Sequence, residues 1–250
     1  MSFRNSICII MALAATSTSA LVAQGAKVLI LTTSVDKFTN ADRKTGVWLE
    51  EFAVPYSILT NAGIQVSIVS PKGGAVPIDP ASMPRTDAQK TAWASGIAAL
   101  HNSITLTADV KASDYDAIFV PGGHGPLFDL ATNTEAARLV SDFARAGKVV
   151  ASVCHGPAGL VGATLADGSP FVKGKRLTSF SDSEEGKGSS LVPFSVQQRL
   201  SELGAIYSKG PDGKPYTVVD GNLITGQNPG SSVETAREEL RVLAARVTTI

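Results

Sequence analysis

The stretch Lys148 to Pro157, KVVASVCHGP, decides the fold, because an apolar run stops there abruptly at a cysteine. Val149, Val150 and Val153 are β-branched, and a near-continuous run of this kind reads as a parallel strand buried on both faces. The helix-compatible segment from Pro157 onward requires a sharp strand-to-helix turn. Ser152 stands two residues before Cys154 and Gly156 two after it, the layout of a nucleophile elbow with sulfur in place of a serine hydroxyl. A free cysteine after an apolar strand is most often just a small buried hydrophobe. Three features favour chemistry here: the strand-end position, the adjoining His155, and a second glycine-rich turn, GGHG, at another strand end. Amides at the helix start favour thiolate over thiol, so a depressed Cys154 pKa is expected.

Outward from the elbow, strands at Ala26–Ser34, Gln65–Pro71 and Ala117–Val120 alternate with helices at Gly46–Asn61, Thr86–Asn102 and Leu127–Ala146. Such a succession demands a parallel sheet with right-handed crossovers, and sites then lie at the carboxyl ends of the strands. Both GGHG and Cys154 end strands. Beyond the elbow the sequence predicts a short helix at Pro157–Thr164, a strand at Arg176–Phe180 and an acidic turn, SDSEEG. A helix at Pro193–Leu203, a strand pair at Tyr216–Val219 and Asn222–Thr225, and a helix at Ser231–Arg246 capped by Ser231 or Ser232 follow. The expected fold is a flavodoxin-like three-layer α/β/α sandwich, one domain over residues 24–250.

With 22 basic and 22 acidic residues in 250, no electrostatic footprint for nucleic acid or an anionic membrane exists. The start of the chain differs in kind. Arg4 precedes the apolar run Ile7 to Ala15, which passes into small residues up to Ala23, the pattern of a cleaved signal peptide over residues 1–23. The run is too short to span a bilayer, which needs about 20 residues. Cleavage near Ala20 or Ala23 removes Cys8 and leaves Cys154 without an internal disulfide partner, in an exported protein. The competing reading is a frayed apolar start on a cytosolic protein.

On a helical wheel Glu51 falls inside the apolar arc of Trp48, Phe52, Pro55, Tyr56 and Leu59, whereas Glu50 points outward with Ser57 and Asn61. An inward carboxyl should have a raised pKa and is a candidate proton carrier. The turn PGGHGP, Pro121 to Pro126, exposes amides at Gly122 and Gly123 for an oxyanion, with His124 as a pocket wall. His101 reads as a surface residue. No metal is expected, since Cys154 and His155 are adjacent and no further His or Cys cluster completes a ligand set. The loops Val35–Thr45 and Pro71–Pro84 set substrate size.

TGVWLEEFAVPY, GGHGP, CHGP, the SEE turn and LITGQNPGSS occur in this order, and together they resemble the PfpI/ThiJ superfamily, most closely its glyoxalase III-like heat-shock branch. The resemblance covers about Lys27 to Leu243. It implies that Glu51 sits beside Cys154, that His155 is the family histidine, and that Glu185 (Glu184 if the turn slips) is its acidic partner. It also implies oxyanion amides from Gly123 and His155, and conversion of methylglyoxal or a similar 2-oxoaldehyde to a hydroxy acid such as D-lactate through a Cys154 hemithioacetal. No cofactor, metal or glutathione is implied. The chain's only histidines, His101, His124 and His155, rule out the C-terminal His–Glu arrangement of class I glutamine amidotransferases. Rival readings are a holdase chaperone and a cysteine peptidase or deglycase of the same superfamily, and a homodimer is the assembly left open.

Overall fold

The computed structural model describes residues 25–247; the signal peptide expected over residues 1–23, with Cys8, lies outside them. The strands are β1 (Lys27–Leu31), β2 (Gln65–Ser70), β3 (Ile104–Thr105), β4 (Ala117–Val120), β5 (Val149–Val153), β6 (Arg176–Leu177), β7 (Ile206–Tyr207), β8 (Thr217–Asp220) and β9 (Leu223–Gly226). The α-helices are α1 (Leu49–Asn61), α2 (Asp87–Ala99), α3 (Pro126–Asp129), α4 (Thr134–Arg145), α5 (Asp182–Glu185), α6 (Val196–Glu202) and α7 (Ser232–Val247). Seven strands form one sheet in the order β3-β2-β1-β4-β5-β9-β8, parallel except for β8, which pairs antiparallel with β9. The expected three-layer architecture is present.

Alternation along the strands makes the layers. Leu29 and Leu31 of β1, Ile118 and Val120 of β4 and Val150 of β5 face one side, where Leu139, Val140 and Phe143 of α4 cover them. Val28, Ile30, Ala117, Phe119, Val149, Ala151 and Val153 face the other, against Leu49, Phe52 and Leu59 of α1 and Leu243 of α7. A two-residue side-chain period sends alternate β-branched residues into two cores, which is why these strands read as unbroken apolar runs.

Several boundaries differ from the sequence reading, each for a local reason. The expected helix over Leu127–Ala146 is two, because the Asn133 side chain accepts the amides of Glu135 and Ala136 and starts a new helix there. The Arg176–Phe180 strand is only Arg176–Leu177, and it pairs with β7 in a separate two-stranded ribbon outside the main sheet. The acidic turn is the one-turn helix α5, capped by Ser181 accepting from the Glu184 amide. After the elbow stands a 3-10 turn, Gly156–Leu160, in place of an α-helix. Thr86 caps α2 with a Gln89 capping box.

One buried group outside the elbow is chemically exposed to pH. Glu239 of α7 is fully buried and neither carboxyl oxygen has a hydrogen-bond partner, so burial pushes its pKa from 4.5 up to about 8. Between those values the folded chain keeps a proton that the unfolded chain releases, so stability falls as pH rises through this window. At about 1.4 kcal/mol per pH unit the loss is roughly 4–5 kcal/mol. Glu239→Gln should therefore raise the melting temperature over the parent at pH 9 and give little gain at pH 5. A gain that does not change with pH would show that Glu239 is not held neutral.

Candidate active site

Cys154 follows β5 with φ of 60°, and among the described residues it is the only non-glycine with positive φ. This conformation costs an L residue on the order of 1–3 kcal/mol and persists only where the surroundings fix it. Here both main-chain groups are taken: the Cys154 amide donates to Gly226 at 2.9 Å, and its carbonyl accepts from the Phe180 amide at 2.8 Å. Close approach fixes the glycines. A Cβ on Gly156 would sit 2.1 Å from the Val120 carbonyl oxygen, and one on Gly122 2.6 Å from Glu51 Oε2. The ends of β4 and β5 and the start of α1 thereby converge on one sulfur.

A chain of polar contacts leads away from that sulfur. Cys154 Sγ lies 3.4 Å from His155 Nδ1, and His155 Nε2 lies 2.6 Å from Glu185 Oε2. Of the two neighbouring glutamates, Glu185 is the one in contact with His155. Glu184 turns the other way, accepting from Ser181 Oγ, the Gly213 amide, Gln227 and Asn228, so it ties the β8–β9 end to α5 and not to His155. Glu185 also meets His124, whose Nε2 lies 3.1 Å from Oε1. His155 packs between the rings of His124 and Phe180, each with a centroid 4.6 Å away, and Phe38 backs His124 at 5.2 Å.

Glu51 reaches the elbow from the first turn of α1, fully buried, with Oε2 accepting the Gly122 amide at 2.9 Å. Burial pushes its pKa to about 8, against the opposing pull of Cys154 and the Gly122 amide. For Cys154, burial first and then the charge and hydrogen bond of Glu51 push the thiol up, while the amides of His155 and Gly123 pull it down. This corrects the expected depressed thiol: Cys154 is 4% exposed and the turn behind it is 3-10, with few aligned peptide dipoles. Two negative charges cannot be held together in so dry a place. Near neutrality both groups therefore keep their protons, Cys154 as a thiol and Glu51 as a neutral carboxyl. Burial lowers His155, and Glu185 pulls it partly back. Burial pushes Glu185 up, but its hydrogen bonds from His124 and His155 outweigh this and hold it well below the usual carboxylate range.

Two further expectations need correction. Gly122 is not free to bind an oxyanion, because its amide is committed to Glu51; the amides directed at the sulfur are those of Gly123 and His155. His124 serves Glu185, and with His155 it brings three ligand-type atoms within 4.8 Å of one another, a set that the spacing of residues 124, 155 and 185 in the sequence did not show. The Phe38 and Phe180 packing likewise carries no sequence signal, since both lie in irregular loops. His101 is exposed, as read.

The His155–Glu185 contact can be tested by titration. A carboxylate beside an imidazole favours its charged form, so Glu185→Gln should move the His155 ring titration, followed by NMR, further down in pH than Glu184→Gln does. Equal movement in the two variants would remove Glu185 as the partner.

The chain is similar to known proteins over most of its length. The model of the DJ-1/PfpI family matches residues 44–241. Glyoxalase 3 of Candida albicans is 30% identical over 232 residues, covering 85% of this chain and 96% of that protein. Glutathione-independent glyoxalase HSP31 of Saccharomyces cerevisiae is 32% identical, covering 87% of this chain and 98% of that one. Among solved structures, the Francisella tularensis Rapid Encystment Protein 24 KDa superposes with a TM-score of 0.81 at 35% identity, covering 87% of this chain and 99% of that one. With the family model spanning both the Glu51 helix and the Cys154 elbow, the chain belongs to the DJ-1/PfpI family.

Proposed function

We propose that the protein is a glutathione-independent glyoxalase, converting a small 2-oxoaldehyde of the methylglyoxal type to a hydroxy acid. The observation that carries this reading is the buried Glu51–Cys154 pair, a thiol beside a neutral carboxyl that can give a proton in the first half of the reaction and take one in the second. The glyoxalase names of relatives about 30% identical over most of the chain support the same reading.

The proton inventory closes. Thiolate attacks the aldehyde carbon, forming the C–S bond, and the Glu51 proton passes to the new oxyanion to give a hemithioacetal. The Gly123 and His155 amides, which face the sulfur, are the donors assigned to that oxygen. Glu51, now a carboxylate, takes the hydrogen of the former aldehyde carbon, and the resulting enediol is reprotonated at the neighbouring carbon. This leaves a thioester. His155, with Nε2–H donating to Glu185, presents Nδ1 as an acceptor for the thiol proton; that proton returns to Glu51 once the thioester has formed, and Nδ1 then accepts a proton of the attacking water and hands it to the departing thiolate. Product leaves and the thiol is restored.

Proton transfer through a carboxyl exchanges with solvent, whereas a hydride shift does not. Turnover in heavy water should place deuterium on the carbon bearing the product hydroxyl. Cys154→Ser should abolish turnover, and Glu51→Gln should cost about 10²–10⁴-fold while Glu50→Gln does not. Deuterium-free product, or equal losses from the two glutamates, would discard this mechanism. Export is a separate inference resting on the Arg4 to Ala23 pattern. Protein recovered from cells should begin near Leu21 or Gln24, and recovery of chains starting at Met1 or Ser2 would remove it.

A further inference from the structure

We propose that His124, His155 and Glu185 form a binding site for a divalent transition-metal ion of the zinc class, and that the bound ion stops turnover by occupying the histidine that serves Cys154. The second half rests on the proposed glyoxalase reading; the first does not.

The donor set carries the argument. Two imidazoles and a carboxylate match the three protein ligands of open zinc sites, which leave a fourth position for water. Ligand atoms about 2.0–2.2 Å from a tetrahedral ion stand about 3.3 Å apart. The three here already lie within 4.8 Å of one another, with contacts of 2.6 Å and 3.1 Å between the carboxylate oxygens and the two Nε2 atoms. Those contacts need to open by less than about 1 Å to admit the ion. His124 and Glu185 side chains are 19% and 12% exposed, so the cluster is neither sealed nor fully solvated. A cavity of about 430 Å³ lined by Glu185, Phe180, Val192 and Phe194 gives an approach from the Glu185 side.

The tautomers permit the exchange. In the hydrogen-bonded state both Nε2 atoms carry protons toward Glu185. His124 Nδ1 is buried without a partner, so nothing at that nitrogen fixes the proton on Nε2. On metal binding each ring moves its proton from Nε2 to Nδ1, and the two freed lone pairs with one carboxylate oxygen become ligands. No electrons are transferred. His155 Nδ1, 3.4 Å from Cys154 Sγ, then carries a hydrogen and can no longer accept the thiol proton. The sulfur faces Nδ1 and not Nε2, so it lies outside this ligand set.

The test uses the Cys154→Ser chain, which has no thiol among the described residues, titrated with Zn²⁺ and with Co²⁺ as a spectroscopic probe. One equivalent should bind, giving a tetrahedral cobalt spectrum. Adding His124→Ala or Glu185→Gln should weaken binding by at least about 10–100-fold, with His124→Asn as a second variant should His124→Ala not fold. The parent chain should bind equally without a sulfur-to-cobalt charge-transfer band, and one equivalent of Zn²⁺ should arrest dicarbonyl turnover until a chelator restores it. No binding at tenfold excess, binding indifferent to residues 124 and 185, or a charge-transfer band would overturn the site. Bound zinc with unchanged turnover would overturn the inhibition. A parent chain inactive on dicarbonyls would count against the glyoxalase reading and leave the metal measurement standing.

Discussion

The left-handed backbone at Cys154 is the constraint on which the rest of the structure depends. An L residue does not stay at φ 60° unless its main-chain groups are held, and the two holders come from far along the chain, Gly226 at the end of β9 and Phe180 after β6. Each neutral hydrogen bond contributes about 1 kcal/mol net, so two of them offset a strain of about that size only because the sheet has already fixed their positions. Strand β9 must therefore lie beside β5, and the chain after β6 must return to the elbow. Ser152 adds a third tie, its hydroxyl donating to the Val120 carbonyl at 2.9 Å and locking β5 to β4 where the two turns meet.

Burial then decides the chemistry that the strained turn presents. Glu51 and Cys154 are both removed from water, and Glu51 raises the cost of charging Cys154, while the thiol partly eases the charging of Glu51. A solvated cysteine at a helix start would be a thiolate on its own account. This one stays a thiol beside a protonated neighbour until a base takes its proton, and that neighbour keeps a proton available beside the sulfur. Glu184 and Glu185 show the same division of labour between adjacent residues: the first is bound by amides and side chains of the β8–β9 end, the second by two imidazoles. The one-turn helix α5 points consecutive carboxyls in different directions.

Much of this could be read from the residues. Val149 to Val153 and Ala117 to Val120 are short β-branched or apolar runs ending in glycine-rich turns, and strands of that kind are recognisable because both faces are buried. Glu51 was legible because a helical wheel is a local property. The His124–Glu185 contact was not, since residues 61 positions apart meet only through the tertiary fold. The Arg176–Phe180 segment is β-like in composition, but composition does not say which partner a strand finds, and it found β7. The thiol was misread for a related reason: its pKa depends on how much water the finished fold excludes, which no sequence spacing reports.

The two edges of the main sheet bear on how this chain avoids its own kind during folding. Parallel pairings between segments distant in sequence form slowly, and until they form, unpaired strands can recruit identical strands from other molecules. One edge ends in β3, only Ile104 and Thr105, too short to seed an intermolecular ladder despite the exposed isoleucine. The other ends in β8, whose Asp220 carboxylate accepts the Arg176 amide of the small ribbon at 2.7 Å. A brief strand and a tethered ribbon thus act as end-stops against aggregation, independent of anything that happens at the sulfur.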